Sequence, residues 1–311
     1  MNQIKAQVDK LLTEVSLKVE SVGLIADVVL PKLVVDQYTG LIGKYGDEHL
    51  RPENDLSGGT AGYRRVDPVN YKDSIPYAIE DHGLEDLVTK RDTANIEDPF
   101  DAEIDKTVGL TQKVQISKEF AAASQMTSTA VMTKNITLAG NSQLDKFSTS
   151  TPLTVFKNAH DSHITELGLM ANKAIMSLQV FNTLRNHPEI LEKLGFTQQR
   201  AGLITAEEMA RAMDVQMLHI AQGIYNTAKK GQTAARGAIW SKDIVFYYAP
   251  DTAMKETPSL GFKLNKRGEE ERQVRKYYID NPGATAIIVE ESYQFKITMP
   301  EAGYLIKNAI A

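Results

Sequence analysis

The chain has no cysteine among its 311 residues. Disulfides, thiolate metal sites and a cysteine nucleophile are therefore excluded, so stability must come from packing and association. No apolar run reaches the roughly 20 residues of a membrane-spanning helix, and the opening Met1-Asn-Gln-Ile-Lys-Ala-Gln-Val-Asp has no apolar stretch of the secretory kind. The expectation is a chain made and used in the cytoplasm, with no membrane partner. A nucleophile elbow, a Walker loop, a dinucleotide fingerprint and a zinc-protease helix are all missing. Carboxylates are abundant, yet nothing in their spacing places two of them in one pocket. The chain reads as not an enzyme, with no catalytic residue, cofactor or metal. Its formal net charge of -5 gives no overall footprint for gripping phosphates.

What is present, at 42 % hydrophobic and 24 % charged, suffices for one large core or two ordinary ones. The stretch from Asp98 to about Met126 reads as a long helix. Asp98 can cap it, Pro99 suits the first helical position, and Asp101 and Glu103 favour the positive end of its dipole. Phe100, Ile104 and Val108 share a face from which Leu110, Val114 and Phe120 drift away, so this helix should meet different neighbours along its length.

Before it, the chain looks extended. Ile4, Val8, Leu11, Leu12, Val15 and Val19 recur at helical spacing, which leaves open whether the stripe packs on its own domain or on another subunit. Pro31 should stop regular structure within 28–35. From Gln37 to Glu97 glycine and proline punctuate short strand-like pieces, with too few large apolar groups for an independent core. That composition predicts a long hairpin arm reaching over something else. Gly58-Gly-Thr-Ala-Gly reads as a hairpin tip rather than a phosphate loop, since no Lys-Ser/Thr follows it. Arg64 and Arg65 near the tip are either solvated charges or partners for carboxylates of a neighbour.

After it, the chain looks globular. Thr151-Pro152 opens a second helix with Leu153, Phe156, Ala159 and Ile164 facing inward. His160 and His163 stand one turn apart, a spacing that could serve a metal, but no third ligand is evident, and surface or capping histidines are the favoured reading. Lys173-Ala-Ile-Met reads as a strand, Leu178 to Arg185 and Pro188 to Leu194 as helices, Thr205 and Glu208 as a capping box, and Val215 to Asn226 as a strand. Trp240, Tyr247 and Tyr248 read as packing, and Lys266 to Arg272 as a solvated turn. Gln273 to Ile279 and Ala286 to Ile297 form a hairpin about Asp280-Asn-Pro-Gly, whose long strands must pair with segments laid down much earlier.

Thr151-Pro-Leu-Thr-Val-Phe, Asn186-His-Pro-Glu-Ile-Leu, Ile224-Tyr-Asn-Thr-Ala with Trp240-Ser-Lys-Asp, and Ala302-Gly-Tyr-Leu-Ile-Lys-Asn-Ala follow one another in an informative order. Together they resemble the major capsid proteins of tailed double-stranded DNA bacteriophages of the Hong Kong 97 type, over nearly the whole chain. The resemblance implies an α+β fold with an N-terminal arm (1–36), an extended loop (37–97), a spine helix with the first part of a peripheral domain (98–166), a mixed α/β axial domain (167–268), a peripheral hairpin (269–298) and a C-terminal return to the axial domain (299–311). It implies a structural subunit that self-assembles into pentamers and hexamers of an icosahedral head, assembled in the host cytoplasm and residing in the virion. Packaged DNA would be contacted non-specifically, by a wall near neutral or acidic. Separate scaffolding, decoration and portal proteins are the other implied partners. Leu11, Val15, Arg64, Arg65 and Asn281 are the candidate inter-subunit contacts. Lys72, Lys90 and Asn281 lie in the regions where some relatives form isopeptide crosslinks, and that crosslink is not predicted here. The rival readings are an encapsulin-like protein compartment and a cytoplasmic α/β enzyme using a metal at His160 and His163.

Overall fold

The computed structural model describes residues 6–19, 23–43, 52, 74–94, 101–195, 204–229, 231–253, 257–268, 271–280 and 283–311. Ile4, the Gly58 to Gly62 tip, Arg64, Arg65, Lys72, Asp98, Pro99, Phe100 and Asn281 lie outside the described residues.

The first elements are β1 (Gln7–Val8), α1 (Lys10–Lys18), α2 (Ala26–Val29), β2 (Lys32–Val35), β3 (Thr39–Ile42), β4 (Ile75–Ala78), β5 (Glu80–Thr89), α3 (Lys90–Ala94) and α4 (Ala102–Met126). There follow β6 (Lys134–Thr137), α5 (Pro152–Leu167), β7 (Lys173–Ser177), α6 (Leu178–Leu184), α7 (Pro188–Lys193), α8 (Ala206–Ala212) and β8 (Met217–Ala221). The last are β9 (Ile224–Asn226), β10 (Arg236–Ala238), β11 (Ile244–Tyr247), β12 (Gly261–Lys266), β13 (Gln273–Ile279), β14 (Ala284–Ile297) and β15 (Gly303–Lys307).

Helix α4 is the long helix the sequence announces, but its cap is not Asp98. Asp101 is extended and its carboxylate accepts from the amides of Glu103 at 2.8 Å and Ile104 at 3.4 Å. An Asp immediately before Ala-Glu-Ile meets the same need for first-turn acceptors as one three residues earlier, with Glu103 and Asp105 then inside the favourable turn. Helix α1 begins at Asp9, which accepts from Leu12 N at 3.1 Å. Val8, expected on the helical stripe, belongs to β1 instead and pairs with Arg275. Pro31 does not end regular structure; it is followed directly by β2, because a parallel partner, β12, is waiting.

Two sheets carry the architecture. In the six-stranded one, β14 is the long central strand. Its first half lies between β13, with Val274 opposite Val289, and β5, with Leu84 opposite Val289; its far end pairs with β12. Alternate residues Ile287, Val289, Glu291, Tyr293, Phe295 and Ile297 are buried, the period-two signature of a sheet with one covered face. Ile287 and Val289 pack with Leu110 and Val114 of α4. The returning limb of the expected arm, β5, is therefore an integral strand, not an appendage, while β3 and β4 pair as the base of the hairpin. Strand β12, expected with the axial segment, belongs to this sheet, and Gly261 is required there because a Cβ would collide with the Lys296 carbonyl oxygen across the pair.

The five-stranded sheet runs β6-β15-β11-β7-β8. Strands β7 and β11 are buried at every residue, as expected for strands covered on both faces. Phe156 of α5, Met176, Phe181, Ile190, Met209 and Phe246 join one apolar cluster, each contributing about 1.5–3 kcal/mol of burial. The chain's last strand, β15, is laid between β6 and β11. The expected strand from Val215 to Asn226 splits into β8 and β9 at Gln222-Gly223, where Gln222 N donates to Gly23 O at 2.9 Å. The Thr205/Glu208 capping box is present, and Trp240 and Tyr247 are fully packed.

Candidate functional site

Lys118 and Glu119 are consecutive on α4, so they leave the helix in directions about 100° apart and reach two different partners. The Glu119 carboxylate accepts from Ile25 N at 3.1 and 3.0 Å, Ala26 N at 2.7 Å and Trp240 Nε1 at 2.5 Å. One side chain thus fastens the segment entering α2, the long helix and the approach to β11. Burial pushes its pKa up, and the Trp240 and amide donors pull it back without cancelling the rise.

Lys118, 1 % exposed, reaches the other way. Its Nζ lies 2.6 Å from Asp27 Oδ1 and 2.5 Å from Glu291 Oε1. Lys263 Nζ lies 2.6 Å from Asp27, 2.9 Å from Glu271 and 3.7 Å from Glu291, while Arg272 is 3.5 Å from Glu291 and donates to Ser16 O at 3.1 Å. Lys32 joins from outside, 3.5 Å from Glu271, so four cations meet three anions. Burial alone would raise the Asp27 pKa, but Lys118 and Lys263 outweigh it and bring it down to about 2. Burial likewise opposes the charged form of Lys263, and Asp27, Glu271 and Glu291 win, holding its pKa well above the usual ammonium range. Glu271 is lowered by Lys263 and Lys32 against the same burial.

Asp27, Glu271 and Glu291 bring one oxygen each within 4.8 Å of the others, a spacing that could suit a cation. Here Lys118 and Lys263 supply that cation, so the arrangement is an ionic lock joining the α2 segment, α4, β12 and β14, buried at Glu291 and open to solvent at Asp27 and Glu271. Of residues 266–272, read as a solvated turn, Arg267, Gly268 and Glu271 are exposed as expected, whereas Arg272 is buried and Glu271 is engaged by Lys263.

The expected contact residues are only partly placed. Leu11 is 65 % exposed and Val15 half-buried, while Leu12 on the same helix is buried with Val88, Val114 and Val274. Helix α1 therefore packs one face on its own chain and turns Leu11 and Leu17 outward. Lys90 opens α3 and is exposed. Arg64, Arg65 and Asn281 fall outside the described residues. His160 and His163 are neither surface nor capping residues. Both are buried: His160 Nε2 is 2.8 Å from Met213 O, and the two His163 nitrogens are 2.8 Å from Ala159 O and 3.2 Å from Ala302 O. They face separate backbone carbonyls and converge on no common point. Burial lowers the His163 pKa, with the two carbonyls opposing it. Sequence reasoning missed the lock, although Glu291 in an inward slot of an otherwise apolar alternation was a usable signal.

No protein-family model matches the chain. The major capsid protein of Burkholderia phage BcepMu is 23 % identical over 312 residues, covering 97 % of this chain and 96 % of that protein. The major capsid protein of Pseudomonas phage JBD67 is 24 % identical over 326 residues, covering all of both. A phage-related protein from Bordetella bronchiseptica has a TM-score of 0.73 at 20 % identity, over 98 % of each chain. The chain has the Hong Kong 97-like capsid fold. Its curated relatives are phage major capsid proteins. Within the capsid fold, the ionic lock and the Glu119 hub tie the N-terminal segment to both sheets of one subunit.

Proposed function

We propose that the chain is the major capsid subunit of a tailed phage, a shell protein that closes into pentamers and hexamers around double-stranded DNA. The end-to-end match to two phage major capsid proteins carries this reading, and the capsid fold supports it. In it, 1–36 is the arm, 37–97 the extended loop and α4 the spine helix of the 98–166 segment. The six-stranded sheet, built around the 269–298 hairpin, forms the peripheral domain, and the five-stranded sheet, drawn from 167–268, the 299–311 return and β6 of the 98–166 segment, forms the axial domain. Leu11, Val15, Arg64, Arg65 and Asn281 contact neighbouring subunits, joined by the outward Leu17 and Leu41. Shell interfaces of this obligate kind bury on the order of 2,000 Å² or more, so much of the stability is intermolecular.

The subunit is structural, with no catalytic role and no cofactor, and is assembled in the host cytoplasm and carried in the virion. It touches packaged DNA non-specifically and works with separate scaffolding, decoration and portal proteins. Negative-stain microscopy of the purified chain should show rings or closed particles. Particles recovered from their native source should hold DNA; protein cargo instead would favour the compartment reading, and a monomer under every assembly condition would overturn both.

A further inference from the structure

From Val215 to Lys242 the chain carries no Asp or Glu, although 40 of its 311 residues are acidic. The same 28 residues hold Lys229, Lys230, Arg236 and Lys242. Three of these cations lie in or beside the β9–β10 hairpin, which the fold presents as a finger. Arg236 pairs with Asn226 across it, and Asn226 Oδ1 braces the connection by accepting from Ala228 N and Ala235 N, both at 3.1 Å. Lys229 and Arg236 are exposed, and neither carries an ion-pair partner among the described residues. The base, by contrast, is anchored: Tyr225 meets Phe120 of α4 edge-on at 4.5 Å, and Ile239 N donates to Gly223 O at 3.0 Å. An anchored base thus carries two exposed cations with no ion-pair partner among the described residues.

The opposite sign is concentrated elsewhere. From Asp92 to Asp105 there are six carboxylates, Asp92, Glu97, Asp98, Asp101, Glu103 and Asp105, and no Lys or Arg. Asp105 is exposed and unpaired among the described residues. Glu103 is already met by Lys276 at 3.4 Å, so Asp101 and Asp105 carry the exposed charge of this run among the described residues. The finger is anchored at Phe120, 15 residues along α4 from Asp105, roughly 22 Å at the helical rise and well beyond the Debye length of about 8 Å. A head-to-tail interface needs two different, complementary patches on the same molecule, which is what a separated pair of opposite charges supplies.

We propose that the β9–β10 finger docks on a second copy of this chain, its Lys229 and Arg236 seated on the acidic face that includes Asp105. Duplex DNA is the competing polyanion. The self-docking reading is favoured because the matching charge is encoded in the same sequence, on α4 roughly 22 Å from the point where the finger is anchored. The inference rests on the shell reading, and the experiment separates the two.

The full chain is compared with K229E/R236E, D105K and the combined variant, under conditions where the unsubstituted chain assembles. These side chains make no ion pair among the described residues, so circular dichroism and the melting temperature of the unassembled protein should be unchanged. Assembly yield, read by sedimentation, should fall at least about tenfold in K229E/R236E and recover to within about twofold in the combined variant, as expected for complementary charges steering association. Equal assembly of K229E/R236E and the unsubstituted chain overturns the inference and leaves the shell reading standing. So does a loss confined to retention of a duplex DNA fragment on a filter, which would assign the finger to DNA. Failure of the unsubstituted chain to assemble under any condition would instead remove the reading beneath it.

Discussion

The two sheet regions are held together by different physics. Around the five-stranded sheet His163 bonds to the Ala159 and Ala302 carbonyls and Asp243 Oδ1 accepts from Asn308 N at 2.9 Å, inside a wide apolar cluster, and buried Lys173 meets a single exposed carboxylate, Asp251, at 3.1 Å. Beneath α4, charge meets charge, and segments from residues 27, 32, 118, 263, 271, 272 and 291 converge on one ionic knot. Apolar packing tolerates volume-conserving change, whereas a buried ion knot is satisfied only when every partner is present. The comparison teaches that the region assembled from the most distant pieces of sequence is also the one whose register is fixed by charge.

The sharpest way to break this contrast is Glu291→Ala. It leaves Lys118, Lys263 and Arg272 facing two anions, and unfolding in denaturant should show a loss of about 3–5 kcal/mol. Met176→Ala in the apolar region should cost about 2–5 kcal/mol by opening a cavity, while Met176→Leu should cost less than about 1.5 kcal/mol. No comparably mild exchange exists at Glu291, and a harmless Glu291→Leu would erase the distinction.

Glu119→Gln should be smaller, about 1–3 kcal/mol, because the amide keeps one acceptor but turns a donor toward Ile25, Ala26 or Trp240. Hydrogen exchange of the Ile25 and Ala26 amides should quicken before that of β11.

The lock also carries a pH signature. The folded-state pKa of Asp27, about 2, lies below its ordinary 3.8, so its contribution is fully present above about pH 4 and is lost as pH falls toward 2. Glu271, also lowered, works in the same direction. Glu119, with a raised pKa, has the opposite sign and costs stability as pH rises through 4.5 toward its folded value. Asp27→Asn should therefore flatten the acid limb of a stability-versus-pH curve, and Glu119→Gln should steepen it.

Smallest in stability is Leu11→Ser, within about 0.5 kcal/mol for an exposed side chain, yet it should lower assembly yield if this face meets a neighbour.

Local signals carried far in this chain. The β13–β14 hairpin, the Thr205/Glu208 cap and the helices opened by Pro152 and Pro188 each depend on residues within a few positions of one another, and each is where the pattern puts it. Asp101 shows the limit, since two Asp residues three apart are equally good caps on paper. The lock was illegible for a different reason: Lys118 and Glu291 are 173 residues apart, and nothing local distinguishes a solvated lysine from one sealed beneath a sheet. His160 and His163 were misplaced because imidazoles that bond carbonyls have the same spacing as imidazoles that cap or bind metal.

The most direct test of the account is sedimentation velocity of the purified full chain at neutral pH across a range of salt and protein concentration. Rings or shells of many subunits are the predicted species, and a single non-associating monomer throughout would contradict it.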